Sequence, residues 1–140
     1  MPRASVWLIR LALLHLLAGF TLGALLLVAK GTGVPAGAMA LLPVHIEFLL
    51  IGWMAQLAIG VAHWIFPRFG AGGTFRGPRR EGAAWIALVA LNLGVWAAAA
   101  GGLERTPWLL VAGRAAEVAA AASFALGTWA RARASGLSAI

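Results

Sequence analysis

The chain has no cysteine among its 140 residues, which excludes disulfides, thiolate metal sites and thiol chemistry. Charge is scarce as well. Only 11% of residues are charged, against about 25% in an ordinary soluble domain. With 62% of residues hydrophobic, so short a chain has no water-soluble way to hide its apolar surface, and lipid is the remaining solvent. The net charge of +7 is not a nucleic-acid signal, because most of the basic residues, Arg10 and Arg114 apart, gather at the ends of the chain and in the short segments between apolar runs, where a membrane protein keeps them. No strand alternation and no clear tandem repeat is present.

What is there is four apolar runs, each long enough to cross a bilayer as a helix of about 20 residues. They predict helices over 6–29, 39–66, 82–101 and 107–130. The expectation is therefore an all-α integral membrane protein, a four-helix transmembrane bundle forming one domain over 1–140. The first run is longer than the h-region of a cleavable signal peptide, and "GTGVPAGA" is a vague cleavage site. The Gly- and Pro-rich linker 31–37 reads as a turn. Pro43 sits early in the second helix, where its missing N–H does little harm, and Pro67 stops that helix. Pro107 is well placed to start the fourth.

Lysine and arginine set the expected orientation. The amino terminus, the loop 67–81 and the tail carry Arg3, Arg68, Arg76, Arg79, Arg80, Arg131 and Arg133, whereas the other two loops carry Lys30 and Arg105. The excess marks the first set as cytoplasmic, so both termini are expected inside, in the inner (cytoplasmic) membrane. Trp7, Trp64, Trp85, Trp108 and Trp129 fall near helix ends, as an interfacial belt does. Trp53 and Trp96 fall nearer the middle and imply packing.

Polar groups within apolar spans are costly and mark function by default. This chain has His15 in the first helix, His45, Glu47, Gln56 and His63 in the second, Asn92 in the third, and Arg114 and Glu117 in the fourth. Arg114 and Glu117 share a helix face. They form an internal ion pair, or they hold a cofactor carboxylate or a partner such as His45 or Glu47. His45 and Glu47, two apart, point to different sides of their helix. His45 and His63 are 18 residues apart, five turns and about 27 Å, so they share a stripe with Gly52 and Gln56 but cannot bind one metal atom. They read either as two cofactor sites or as two interfacial histidines bonded to backbone or water. In an antiparallel hairpin of the first two helices, His15 is expected within about 5–8 Å of the height of His63, where the two can bracket a haem iron. His15, Gly19 and Gly23 form a further stripe whose GxxxG permits close helix approach.

The second helix reads "LLPVHIEFLLIGWMAQLAIGVAHWIFPRF". It resembles the second transmembrane helix of subunit I in the haem–copper oxidase and nitric oxide reductase superfamily. There, a histidine opens the helix on the outer side, glycines recur along it and a proline closes it on the cytoplasmic side. His45, Gly52, Gly60 and Pro67 match in order. The "HWIFPR" ending is also similar to small or divergent members linked to the nitric oxide response. The likeness lies mainly over residues 39–67. It implies that His45 is an axial ligand of a low-spin b-type haem. Catalytic members have roughly twelve helices, further histidines for copper and a second haem, and usually a tyrosine near the copper. This chain has three histidines and no tyrosine, so it is not a complete oxidase by itself. The second axial ligand is then owed to another protomer, another subunit or a non-histidine group. A four-helix protein like one arc of that subunit implies a homotrimer of similar outline, or a subunit of a larger membrane complex.

The residues admit three classes of function. One is a small b-type haem protein with His45, His63 and His15 as cofactor-binding residues, in electron transfer, gas sensing or as an accessory subunit of a respiratory complex. The second is a non-redox membrane scaffold or assembly subunit. The third is a copper site of His45 with Glu47, joined by Met39 or Met54. The charge bias makes a direct prediction. A fluorescent reporter that matures only in the cytoplasm lights up when fused at the carboxyl end, and an export-dependent phosphatase is active when fused after Gly33 and inactive at the carboxyl end.

Overall fold

In a computed structural model, residues 1–33, 36–65 and 81–134 are described, with backbone alone from residue 130. Among them every regular element is helical, and four helices are long and apolar enough to cross a membrane. We label them α1 (Arg3–Thr32), α2 (Gly37–Ile65), α3 (Gly82–Leu103) and α4 (Pro107–Ala134). Pro67, Arg68, Arg76, Arg79 and Arg80, and the side chains of Arg131 and Arg133, lie outside the described residues.

The ends follow local chemistry. α1 stops at Gly33, whose left-handed φ of 69° lets its N–H bond back to the Ala29 carbonyl. Lys30 sits in the last turn, where a cation favours the negative helix end. α3 and α4 are joined by a three-residue corner. There the Thr106 N–H donates to the Gly101 carbonyl at 2.9 Å, and Arg105 takes a positive φ of 54°. α1 and α3 extend a few residues beyond the predicted limits.

α2 is not a uniform α-helix. It opens as a 3-10 turn (Ala36–Leu41), becomes α-helical with Pro43 in its first turn (Leu42–Glu47), widens into a π-helix (Phe48–Ala55) and returns to α (Gln56–Ile65). Straight 3.6-residue periodicity gives no sign of this. The π stretch centres on Gly52, where the His15 ring presses on the backbone: a Cβ on Gly52 would lie 2.7 Å from His15 Cγ.

The helices form two antiparallel hairpins, α1–α2 and α3–α4, with α3 docked on the first. Val44 and Phe48 of α2 and Val95 and Ala99 of α3 make the core, with Ala18 and Leu22 of α1 against it. The third span is 44% buried and the fourth only 11%, so α3 is the centre of the bundle and α4 its outermost member, held chiefly by α3.

That last contact depends on closeness of backbones. A Cβ on Gly113 would lie 2.5 Å from the Ala98 amide nitrogen, and one on Gly101 would strike the Leu110 backbone. No flexible side chain is there to yield, so the helices themselves would have to part. Gly113→Ala is therefore expected to destabilise the bundle by roughly 1–3 kcal/mol, as overpacking does. Gly102→Ala, with nothing within 4 Å of the added atom, should stay within about 0.5 kcal/mol. Equilibrium unfolding in mixed micelles measures both.

Candidate functional site

The polar residues of the spans separate into three places. The first is the α1–α2 seam. His45, Leu49, Gly52, Gln56 and Gly60 all meet α1, facing in order Gly23, Gly19, His15, Leu8 and again Leu8. Of the stripe expected through His45, Gly52, Gln56 and His63, the first three residues therefore share a face, and it points at the first helix. The Gly19–Gly23 pair does what a GxxxG does: Leu49 packs on one glycine and the His45 ring on the other. Gln56 Nε2 donates to the Leu8 carbonyl at 3.2 Å, satisfying one end of a buried amide.

His45 carries the more telling contact. Its Nδ1 lies 2.7 Å from the Gly19 carbonyl oxygen. A carbonyl only accepts, so Nδ1 holds a proton, and in the neutral imidazole the lone pair is then on Nε2. The ring fits because Gly23 has no side chain: a Cβ there would fall 2.6 Å from His45 Cε1. The partly buried imidazole borders a groove of about 620 Å³ lined by Phe20, Gly23, Leu27, Lys30, Met39 and Leu49 among others. Backbone-held imidazole with a bare second nitrogen is the arrangement metal-ligating histidines use.

His15 lies further along the same seam, against Gly52. It is buried, edge-on to Phe48 at a ring-centroid distance of 5.3 Å and 6.2 Å from Trp96, while Phe48 and Trp96 stack edge-to-face at 5.0 Å. Trp96 thus packs on Phe48 and His15 by one side only, and stays 59% exposed. His63 is buried too, 2% exposed, but eleven residues beyond the Gly52 that His15 touches, about 16 Å along the axis. The expectation that His15 and His63 bracket one iron is corrected. The paired contacts Gly23–His45, Gly19–Leu49, His15–Gly52 and Leu8–Gly60 fix the register of the hairpin, and continuing it sets His63 level with the first turn of α1 rather than with His15.

The third place joins the hairpins. Arg114 of α4 donates from Nη2 to Glu47 Oε2 at 2.6 Å and from Nη1 to Glu117 Oε2 at 2.8 Å. Both carboxylates are buried, while the arginine side chain is 50% exposed. The internal pair of Arg114 and Glu117 and the contact with Glu47 are thus both present. Glu47 turns to α4 and His45 to α1, so the two do not converge on one metal. Among the described residues no cluster of three histidine or acidic ligands forms. Asn92 bonds its own helix at the Leu88 carbonyl, 2.7 Å, and belongs to no site. Sequence reading missed Lys30 as a wall of the groove. Its place in the last turn of α1, seven residues from Gly23, was the available signal. Comparison with protein-family models, curated proteins and solved structures finds no match to this chain.

Removing the shared cation is the sharp test of the ion cluster. Arg114→Ala leaves two buried carboxylates facing each other, a change that costs about 3–5 kcal/mol in a fully buried pair. With the arginine half exposed, about 2 kcal/mol is expected here. Adding Glu47→Gln and Glu117→Gln to Arg114→Ala should recover much of that loss in the same unfolding assay.

Proposed function

We propose that this chain is a multi-pass protein of the cytoplasmic membrane, both termini inside, that holds a b-type haem through His45. It would serve in electron transfer, in sensing a diatomic gas, or as an accessory subunit of a respiratory complex. The observation that carries the reading is the hydrogen bond from His45 Nδ1 to the Gly19 carbonyl, which aligns the imidazole and leaves Nε2 free to ligate.

The surroundings fit such a group. The groove volume of about 620 Å³ lies within the usual range for small-molecule and cofactor sites, about 300–1,000 Å³. Its walls are leucine, phenylalanine, alanine and glycine, with Lys30 and Met39 among them. One imidazole in an apolar groove is a haem donor set, whereas copper needs further ligands that Glu47, committed to Arg114, does not bring. The likeness of α2 to the oxidase-type helix points to the same histidine. Once bound, haem supplies one-electron chemistry or diatomic ligand binding. The chain's own part is to fix the imidazole, to exclude water and to set the field at the iron. From this chain His45 would hold the haem, and a further ligand would come from a second protomer, in a trimer of four-helix arcs, from a partner subunit or from a non-histidine group.

The test is a dithionite-reduced minus oxidised spectrum of the purified protein, with a pyridine haemochrome assay. The expected result is a b-type α-band near one haem per chain, lost in His45→Ala and weakened in Gly23→Ala, whose new methyl displaces the ring. A preparation still colourless after haem is supplied overturns the proposal and favours the scaffold reading. A band lost in His15→Ala or His63→Ala but kept in His45→Ala moves the haem to a different site.

A further inference from the structure

The groove beside His45 has one charged residue on its wall, Lys30. It comes from α1, as does Gly23, which touches the His45 ring. Seven residues separate the two, so they lie two turns apart on one face, about 10 Å along the axis. The groove thus carries a nitrogen donor, at the level of Gly23, and a lysine two turns further along α1, among otherwise apolar residues. That is the polarity of a flat amphipathic ligand whose coordinating centre and acid groups are about as far apart as a porphyrin's centre and its carboxylates.

We infer that Lys30 is the counter-ion for the ligand's carboxylates and fixes its orientation, acid edge toward the α1 C-terminus. The inference rests on the haem reading of His45 and extends it from the iron to the opposite edge of the ligand. Lys30 carries its charge on a flexible apolar stem, so the ammonium can follow a carboxylate at the rim while the methylenes stay against the groove. It is a positioning residue, and the imidazole bond does not depend on it.

Free haemin and haemin dimethyl ester separate charge from shape, since they share a ring and the ester has no free carboxylate. The full chain in detergent, freed of haem, is titrated with each and followed by absorption. Wild type is expected to favour the free acid by about tenfold, the scale of one charge-assisted contact at a partly exposed site. Lys30→Gln should lose that preference, and Lys30→Arg should keep most of it. Both variants should bind the ester as wild type does, with unchanged coordination bands. If Lys30→Gln still prefers the free acid, or if its coordination bands change because the amine itself ligates iron, the inference is overturned while the haem reading stands. If wild type takes up neither form, the haem reading itself falls.

Discussion

The close approach of α1 and α2 is the constraint on which the rest of this structure depends. Polar groups buried between helices are shut off from solvent, so their partners have to come from the neighbouring helix. His45 reaches the Gly19 carbonyl and Gln56 the Leu8 carbonyl. Neither bond is possible unless the helices nearly touch, and they nearly touch because glycine occupies the contact points on both. The imidazole of His45 and that of His15 each lie against glycine of the partner helix. The two rings nonetheless have different fates, one bordering an open groove and the other enclosed by Phe48 and Trp96.

The second hairpin is attached by different physics. α3 docks through small apolar residues, and α4 then rests on α3 with little else beneath it. The polar tie across the hairpins is Arg114, shared between Glu47 and Glu117. Buried carboxylates of this kind contribute little net stability but are costly to leave unpaired, so they specify which face of α4 meets α2 more than they hold the bundle together. Glu47 and His45, two residues apart, divide the labour. One side of α2 is committed to assembly and the other is left facing the groove.

The spans were legible in the sequence because their signal is summed over some twenty residues, and their limits moved by only a few. The pairing of Arg114 with Glu117 was legible from its spacing, and its reach to Glu47 stood among the alternatives. The stripe through His45, Gly52 and Gln56 was also visible. Its phase survives even though α2 passes through a π stretch, because residues four, three and four apart still return to the α1 side. The height of His15 against His63 could be counted as well: His15 lies 14 residues before the end of its predicted span and His63 24 residues after the start of its own. That ten-residue offset, about 15 Å, is the one the helix contacts show.

By itself, then, the sequence determined the all-helical class, four helices long and apolar enough to cross a membrane, and the polar residues set within them. Those follow from composition and from spacing along one chain. Tertiary structure decided which of those residues keep company. It held the Nδ1 proton of His45 on Gly19, enclosed His15 among aromatics, and put Lys30 on the same groove as His45. The reason is that each of these facts is a relation between two helices, set by register and rotation, and neither quantity is written in the pattern of either helix alone.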